Sequence, residues 1–110
     1  MKQIKNDHYT YRVTWSEDDK EYIGLCAEFP SLSWLDTSME TALSGIRSLV
    51  YDVIKDMKKN NELIPEPIAS KQFSGKFIVR VPPEVHRKLV LEATENGISL
   101  NRLASSKLAG

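Results

Sequence analysis

The sequence predicts an α+β protein made of two small modules. The first is an antiparallel sheet carrying one helix, and the second is a short strand followed by two helices. Three observations predict this arrangement: alternating aromatic and β-branched stretches in the first third, one long helical stripe in the middle, and a reversal of charge near residue 70. Over 110 residues the formal net charge is zero. Residues 1–70 nevertheless hold 8 Lys/Arg against 12 Asp/Glu, a balance of −4, while residues 71–110 hold 7 against 3, a balance of +4. Opposed halves joined at a polar seam, Glu66 to Gln72, read as modules with different partners, and the basic half would seek an anion. The expected boundaries are 1–67 for the first module, 68–75 for a linker and 76–110 for the second module.

Tyr9-Thr10-Tyr11-Arg12-Val13-Thr14-Trp15 alternates and predicts a strand. The polar run from Ser16 to Glu21 is a turn, and Tyr22-Ile23-Gly24-Leu25-Cys26 completes a hairpin. Phe29-Pro30 breaks the second strand, and Ser33-Trp34-Leu35 predicts a third. Thr37 with Glu40 has the spacing of a capping box, which opens a helix reaching to about Asn60. Ala42, Leu43, Ile46, Leu49, Val50, Val53, Ile54 and Met57 form its apolar stripe. Leu63-Ile64 suggests one more short strand.

In the second module, Phe77, Val79 and Val81 alternate with Lys76, Ile78 and Arg80, the period-two pattern of a half-buried strand. Pro82 stops that ladder, and Pro83 suits a first helical turn because its φ is already helical. Val85, Leu89 and Ala93 give the first helix its stripe, and Asn96-Gly97 ends it. Ser99 is a ready N-cap for a second helix with Leu100, Leu103, Ala104 and Leu108 on its apolar side.

About 36 residues are too few to bury a self-sufficient core. The single Cys26 allows no intrachain disulfide. The expected solution is a second copy. Two strands would pair as an antiparallel ribbon, with four helices stacked on the Phe77/Val79/Val81 face. The Lys76/Ile78/Arg80 face would then project twice, and a two-stranded ribbon fits the major groove of B-DNA. The free backbone N–H groups at the start of the last helix suit a phosphate.

Composition excludes other classes. Hydrophobic content of 41% and charged content of 27% are those of an ordinary folded protein. The apolar runs are too short to span a bilayer, and Met1-Lys2-Gln3-Ile4-Lys5 opens no secretory signal, so a membrane partner is not expected. One cysteine points to a reducing compartment, and the cytoplasm of a prokaryote is the expected location. Glu17, Asp18, Asp19 and Glu21 form an acidic cluster, and they read as a solvated turn or a face for a basic partner. His8 and His86 fall in different modules without ligand spacing, and Ser44-Gly45 lacks the context of a nucleophile elbow. Trp15 and Trp34 read as core or interface anchors. No catalytic constellation, metal site or cofactor is expected.

Two resemblances rest on these residues. Lys76 to Leu108 resembles a ribbon-helix-helix DNA-binding domain of the Arc/MetJ type, through the alternating strand, Val81-Pro82-Pro83-Glu84-Val85, and Asn96-Gly97-Ile98-Ser99-Leu100-Asn101. That resemblance implies base contacts from Lys76, Ile78 and Arg80, and phosphate contacts from the backbone at Ser99, Leu100 and Asn101. The hairpin, Ala27-Glu28-Phe29-Pro30-Ser31-Leu32, and Asp36 to Leu43 look like the amino-terminal domain of the HicB family. Many members carry Gly-Cys and Gly-Asp pairs where this chain has Ser33-Trp34 and Leu35-Asp36.

Taken together, the resemblances imply a HicB antitoxin with a partial ribonuclease H-like domain that has lost its catalytic carboxylates. They also imply a HicA-like RNA-cleaving toxin as partner, double-stranded operator DNA as a second partner, and a homodimer or higher homo-oligomer. One alternative is a metal-dependent RNA-processing hydrolase using residues 17–21 with magnesium. Cleavage abolished by Asp18→Ala and Asp19→Ala would reveal it. Another is an orphan regulator, which would lack a neighbouring toxin reading frame.

Overall fold

A hairpin comes first in the chain because Tyr11–Ser16 (β1) and Glu21–Cys26 (β2) are rich in β-formers and are separated by four polar residues. The structure, a computed structural model, describes residues 7–110. In the connecting turn, Lys20 adopts a left-handed conformation, φ 54°, and its N–H donates to the Ser16 carbonyl at 2.8 Å. Ser33–Asp36 (β3) pairs with β2, giving an antiparallel sheet in the order β1-β2-β3. The register sets Val13, Gly24 and Trp34 in one row, and Trp15, Tyr22 and Asp36 in the next row of the same face.

Helix α1, Met39–Lys59, crosses that face. Its N-cap is Ser38, one residue later than expected. The Ser38 hydroxyl accepts from the Thr41 N–H at 3.1 Å, so Thr41, rather than Glu40, closes the cap. At the other end Asn61 takes φ 54°, and the Glu62 N–H reaches the Met57 carbonyl at 2.9 Å. That is a left-handed helix stop in which asparagine does the work glycine usually does.

The core follows the stripe. Ile46 and Val50 are fully buried and pack with Cys26, Phe29 and Ile54; Tyr9, Tyr11, Leu49, Val53, Met57 and Ile64 surround them. Two glycines let the layers approach. A Cβ on Gly24 would sit 2.5 Å from the Ala42 carbonyl oxygen, and one on Gly45 would fall inside the Trp34 indole. The expected strand at Leu63-Ile64 is not formed. Leu63 is exposed, and only Ile64 reaches the core, so the pair anchors by one side chain and not by a ladder.

The segment after α1 is tied back to the sheet. The Tyr9 hydroxyl donates to the Pro65 carbonyl at 2.7 Å, and Glu28 accepts from the Ile68 N–H at 2.9 Å. Ile68–Ser70 form a 3-10 turn. The stretch expected as a linker therefore opens with residues bonded to the first unit, and the chain divides into compact units between Phe73 and Ser74.

The second unit, Ser74–Gly110, contains two helices, Pro83–Glu95 (α2) and Leu100–Ala109 (α3). Ala93 and Leu103 are its buried side chains. The expected strand over 76–81 has no ladder, since within one chain no second strand lies in register with it.

Candidate nucleic-acid interface

The second unit is built from strong local signals. Pro83 occupies the first turn of α2, where its missing N–H costs nothing, and the Pro82 carbonyl accepts from the Val85 and His86 N–H groups. At the far end, the Ile98 N–H reaches the Ala93 carbonyl at 3.0 Å and the Gly97 N–H reaches that of Thr94 at 3.2 Å. Gly97 holds φ 66° there, the pattern of a Schellman stop. Ser99 then caps α3 by accepting from the Arg102 N–H at 3.0 Å. Lys107 on α3 pairs with Glu92 on α2 at 3.2 Å, an exposed pair of small energetic worth.

The expected base-contacting residues, Lys76, Ile78 and Arg80, lie on the extended segment before α2, and all three are exposed. Ile78 is 91% exposed and Phe77 73%. Val79 and Val81 are exposed as well, so both faces of the segment are open, including the face expected to lie under helices. Helix α2 adds a shallow groove lined by Pro83, His86, Arg87, Val90, Leu91 and Thr94. The expected phosphate-contacting residues sit at the start of α3: Ser99 is the cap itself, and Leu100 and Asn101 form the first turn. Their backbone N–H groups are among those no intrahelical carbonyl can reach. One chain thus brings Lys76, Ile78 and Arg80 together on one stretch and Ser99, Leu100 and Asn101 on another.

The other polar candidates are engaged locally. Glu17 accepts from the Trp15 indole N–H at 2.7 Å and pairs with Lys20, and these contacts hold its carboxyl below the usual range. Asp19 accepts from the Ser16 hydroxyl at 2.8 Å. Among the described residues, no group of three or more His, Cys, Asp or Glu side chains is arranged to hold a metal ion. Cys26 is buried, and burial raises its thiol to about 11, which suppresses thiolate chemistry. No helix among the described residues is long and apolar enough to cross a membrane. Trp15 and Trp34, which sequence left between core and interface, are both partly exposed.

A HicB family model matches residues 60–108. The matched segment is just under half of the 110-residue chain. It runs from the end of α1 through the extended segment and most of α3, so the residues that resemble the HicB amino-terminal domain lie before it. No curated protein and no solved structure matches the chain.

Sequence reasoning missed Glu28. Its carboxylate accepts from the Thr10 N–H at 2.9 Å, the Thr10 hydroxyl at 3.1 Å and the Ile68 N–H at 2.9 Å. Burial pushes this carboxyl up, but the N–H donors of Ile68 and Thr10 outweigh it and leave the pKa below the ordinary value. Nothing local marks such a residue, because its partners lie 18 and 40 positions away. Gly45 was also passed over. Its signal was present: glycine inside a helix costs about 1 kcal/mol against alanine, which flags a close approach.

Proposed function

We propose that the chain is a HicB-type antitoxin that binds DNA through its second unit as a dimer and binds a HicA-like toxin through its first. The observation that carries the reading is the exposed strip at residues 76–81, which falls inside the segment matched by the HicB family model. A strip of Phe77, Val79 and Val81 left open to water is unfavourable at about 25 cal/mol per Å² of apolar surface. Pairing with the same strip of a second copy would cover it and complete the backbone hydrogen bonds of residues 76–81. That pairing would also repeat Lys76, Ile78 and Arg80 across a two-fold axis, on a scale the major groove accepts. The α3 starts of both copies would flank the ribbon with N–H groups facing phosphate.

In this reading the protein is not an enzyme. Its first unit occupies a toxin, and its second represses the operon encoding the pair. The balance of +4 in residues 71–110 supports the DNA half, and the balance of −4 in residues 1–70 supports a basic protein partner for the other half.

The test is a mobility-shift titration of the full chain on the DNA upstream of its own gene, at two salt concentrations. Arg80→Ala should weaken binding by about 1–3 kcal/mol for a lost bidentate base contact. Lys76→Ala should also weaken operator binding. Unchanged operator affinity in both variants would remove the DNA assignment.

A further inference from the structure

Two tryptophans are held in the first unit with their rings open to solvent. Trp15 is 46% exposed and Trp34 40%. Both are fixed. The Trp15 indole N–H donates to Glu17 at 2.7 Å, and its ring meets Tyr22 edge-on at 5.1 Å between centroids. The Trp34 indole lies against Gly45, where a side chain would not fit, and its N–H donates to Asp36 at 3.2 Å. The sheet register places both on the face that α1 crosses, in neighbouring rows. Helix residues 42–46 lie over Gly24, so the first turns of α1, with exposed Met39 and Leu43, lie toward the Tyr22 end of the sheet.

Charge surrounds this patch on one side of the ledger only. Beside that face lie five carboxylates, Glu17, Asp18, Asp19, Asp36 and Glu40, and one cation, Lys20, which is paired with Glu17; Glu21, next to Tyr22 in β2, alternates onto the opposite face. Such a rim repels nucleic acid, and it repels a second copy of itself. It complements a cationic protein surface. Exposed aromatic side chains whose polar atoms are already satisfied and whose rotamers are braced lose little freedom on binding, the character of interface anchors.

We infer that the Trp15/Tyr22/Trp34 patch with its acidic rim is the docking surface for a folded protein partner presenting a basic contact face. This rests on the antitoxin reading, in which that partner is the toxin. The rings would insert into the partner, and the carboxylates would steer it into place.

The experiment measures binding of the purified full chain to the purified HicA-like protein that the antitoxin reading expects to be encoded beside it, by calorimetry and by association kinetics. Operator binding and thermal melting are followed in parallel. Trp15→Ser with Trp34→Ser should weaken toxin binding by at least about 30-fold, the loss of hot-spot residues, while operator affinity stays within about twofold. Gly45→Ala, which displaces the Trp34 ring, should weaken it less. Asp18→Lys with Asp19→Lys changes the exposed turn at the cost of the Ser16–Asp19 hydrogen bond, so its thermal melting is followed together with its binding. It should slow association by about tenfold and reduce its salt dependence. Toxin binding at native strength and rate by the charge-reversal pair and by a natively melting tryptophan variant would overturn the patch and leave the antitoxin reading intact. A wild-type chain that binds no toxin would overturn both.

Discussion

The two units of this chain solve the same problem in opposite ways. The first closes its own core: Ile46 and Val50 are fully buried beneath the sheet, and polar staples from Glu28 and Tyr9 fasten the segment that follows α1. The second buries only Ala93 and Leu103 and leaves Phe77, Val79, Val81, Val90 and Leu91 exposed. The difference is one of surface to volume. A helix packed on three strands shields a continuous stripe, whereas a pair of helices 13 and 10 residues long cannot also cover an extended segment. The lesson is that the second unit's apolar pattern specifies an interface as much as a core.

That contrast can be broken at several points. The largest effect is expected for Val79→Asp, which sets a carboxylate in the middle of the proposed ribbon. Sedimentation should then find only monomer and melting should lose its dependence on protein concentration, while near-ultraviolet dichroism from Trp15 and Trp34 persists. A variant that remains dimeric would show that the exposed strip is not the contact. Next comes Ile46→Ala, which empties a fully buried site and should cost about 2–5 kcal/mol in the first unit, read by denaturant titration. If the units are independent, dimer assembly through the second unit should survive that change.

Glu28→Ala should have a smaller effect, about 1–2 kcal/mol, because its hydrogen bonds to Thr10 and Ile68 are charge-assisted but partly exposed to water. Amide exchange should rise first at Ile68. The folded Glu28 carboxyl titrates below its ordinary value of 4.5, so its stabilisation is complete above that pH and is lost as the pH falls through the folded value. Glu28→Gln should therefore flatten the acid limb of the first unit's melting curve. An acid limb with the wild-type slope would mean that other carboxylates set it.

Much of this architecture was legible residue by residue. The hairpin, the α1 stripe, the Pro83 start, the Gly97 stop and the Ser99 cap all follow from rules reaching no further than a few positions along the chain. Misreadings arose where two local options competed. Thr37 and Ser38 are both capable caps, and the path of the chain out of β3 selected Ser38. Leu63-Ile64 had the composition of a strand but no free sheet edge was paired to it.

Sequence by itself determined the α+β class, the reversal of charge between the halves and the period-two strip at residues 76–81, because alternation, capping and net charge are properties of neighbouring residues. Only the tertiary structure decided that Glu28 holds Ile68 to the sheet, that Gly45 makes room for Trp34, and that both tryptophans keep a face to water. Those facts depend on groups brought together across many residues, where distance and exposure are set by packing and not by order along the chain.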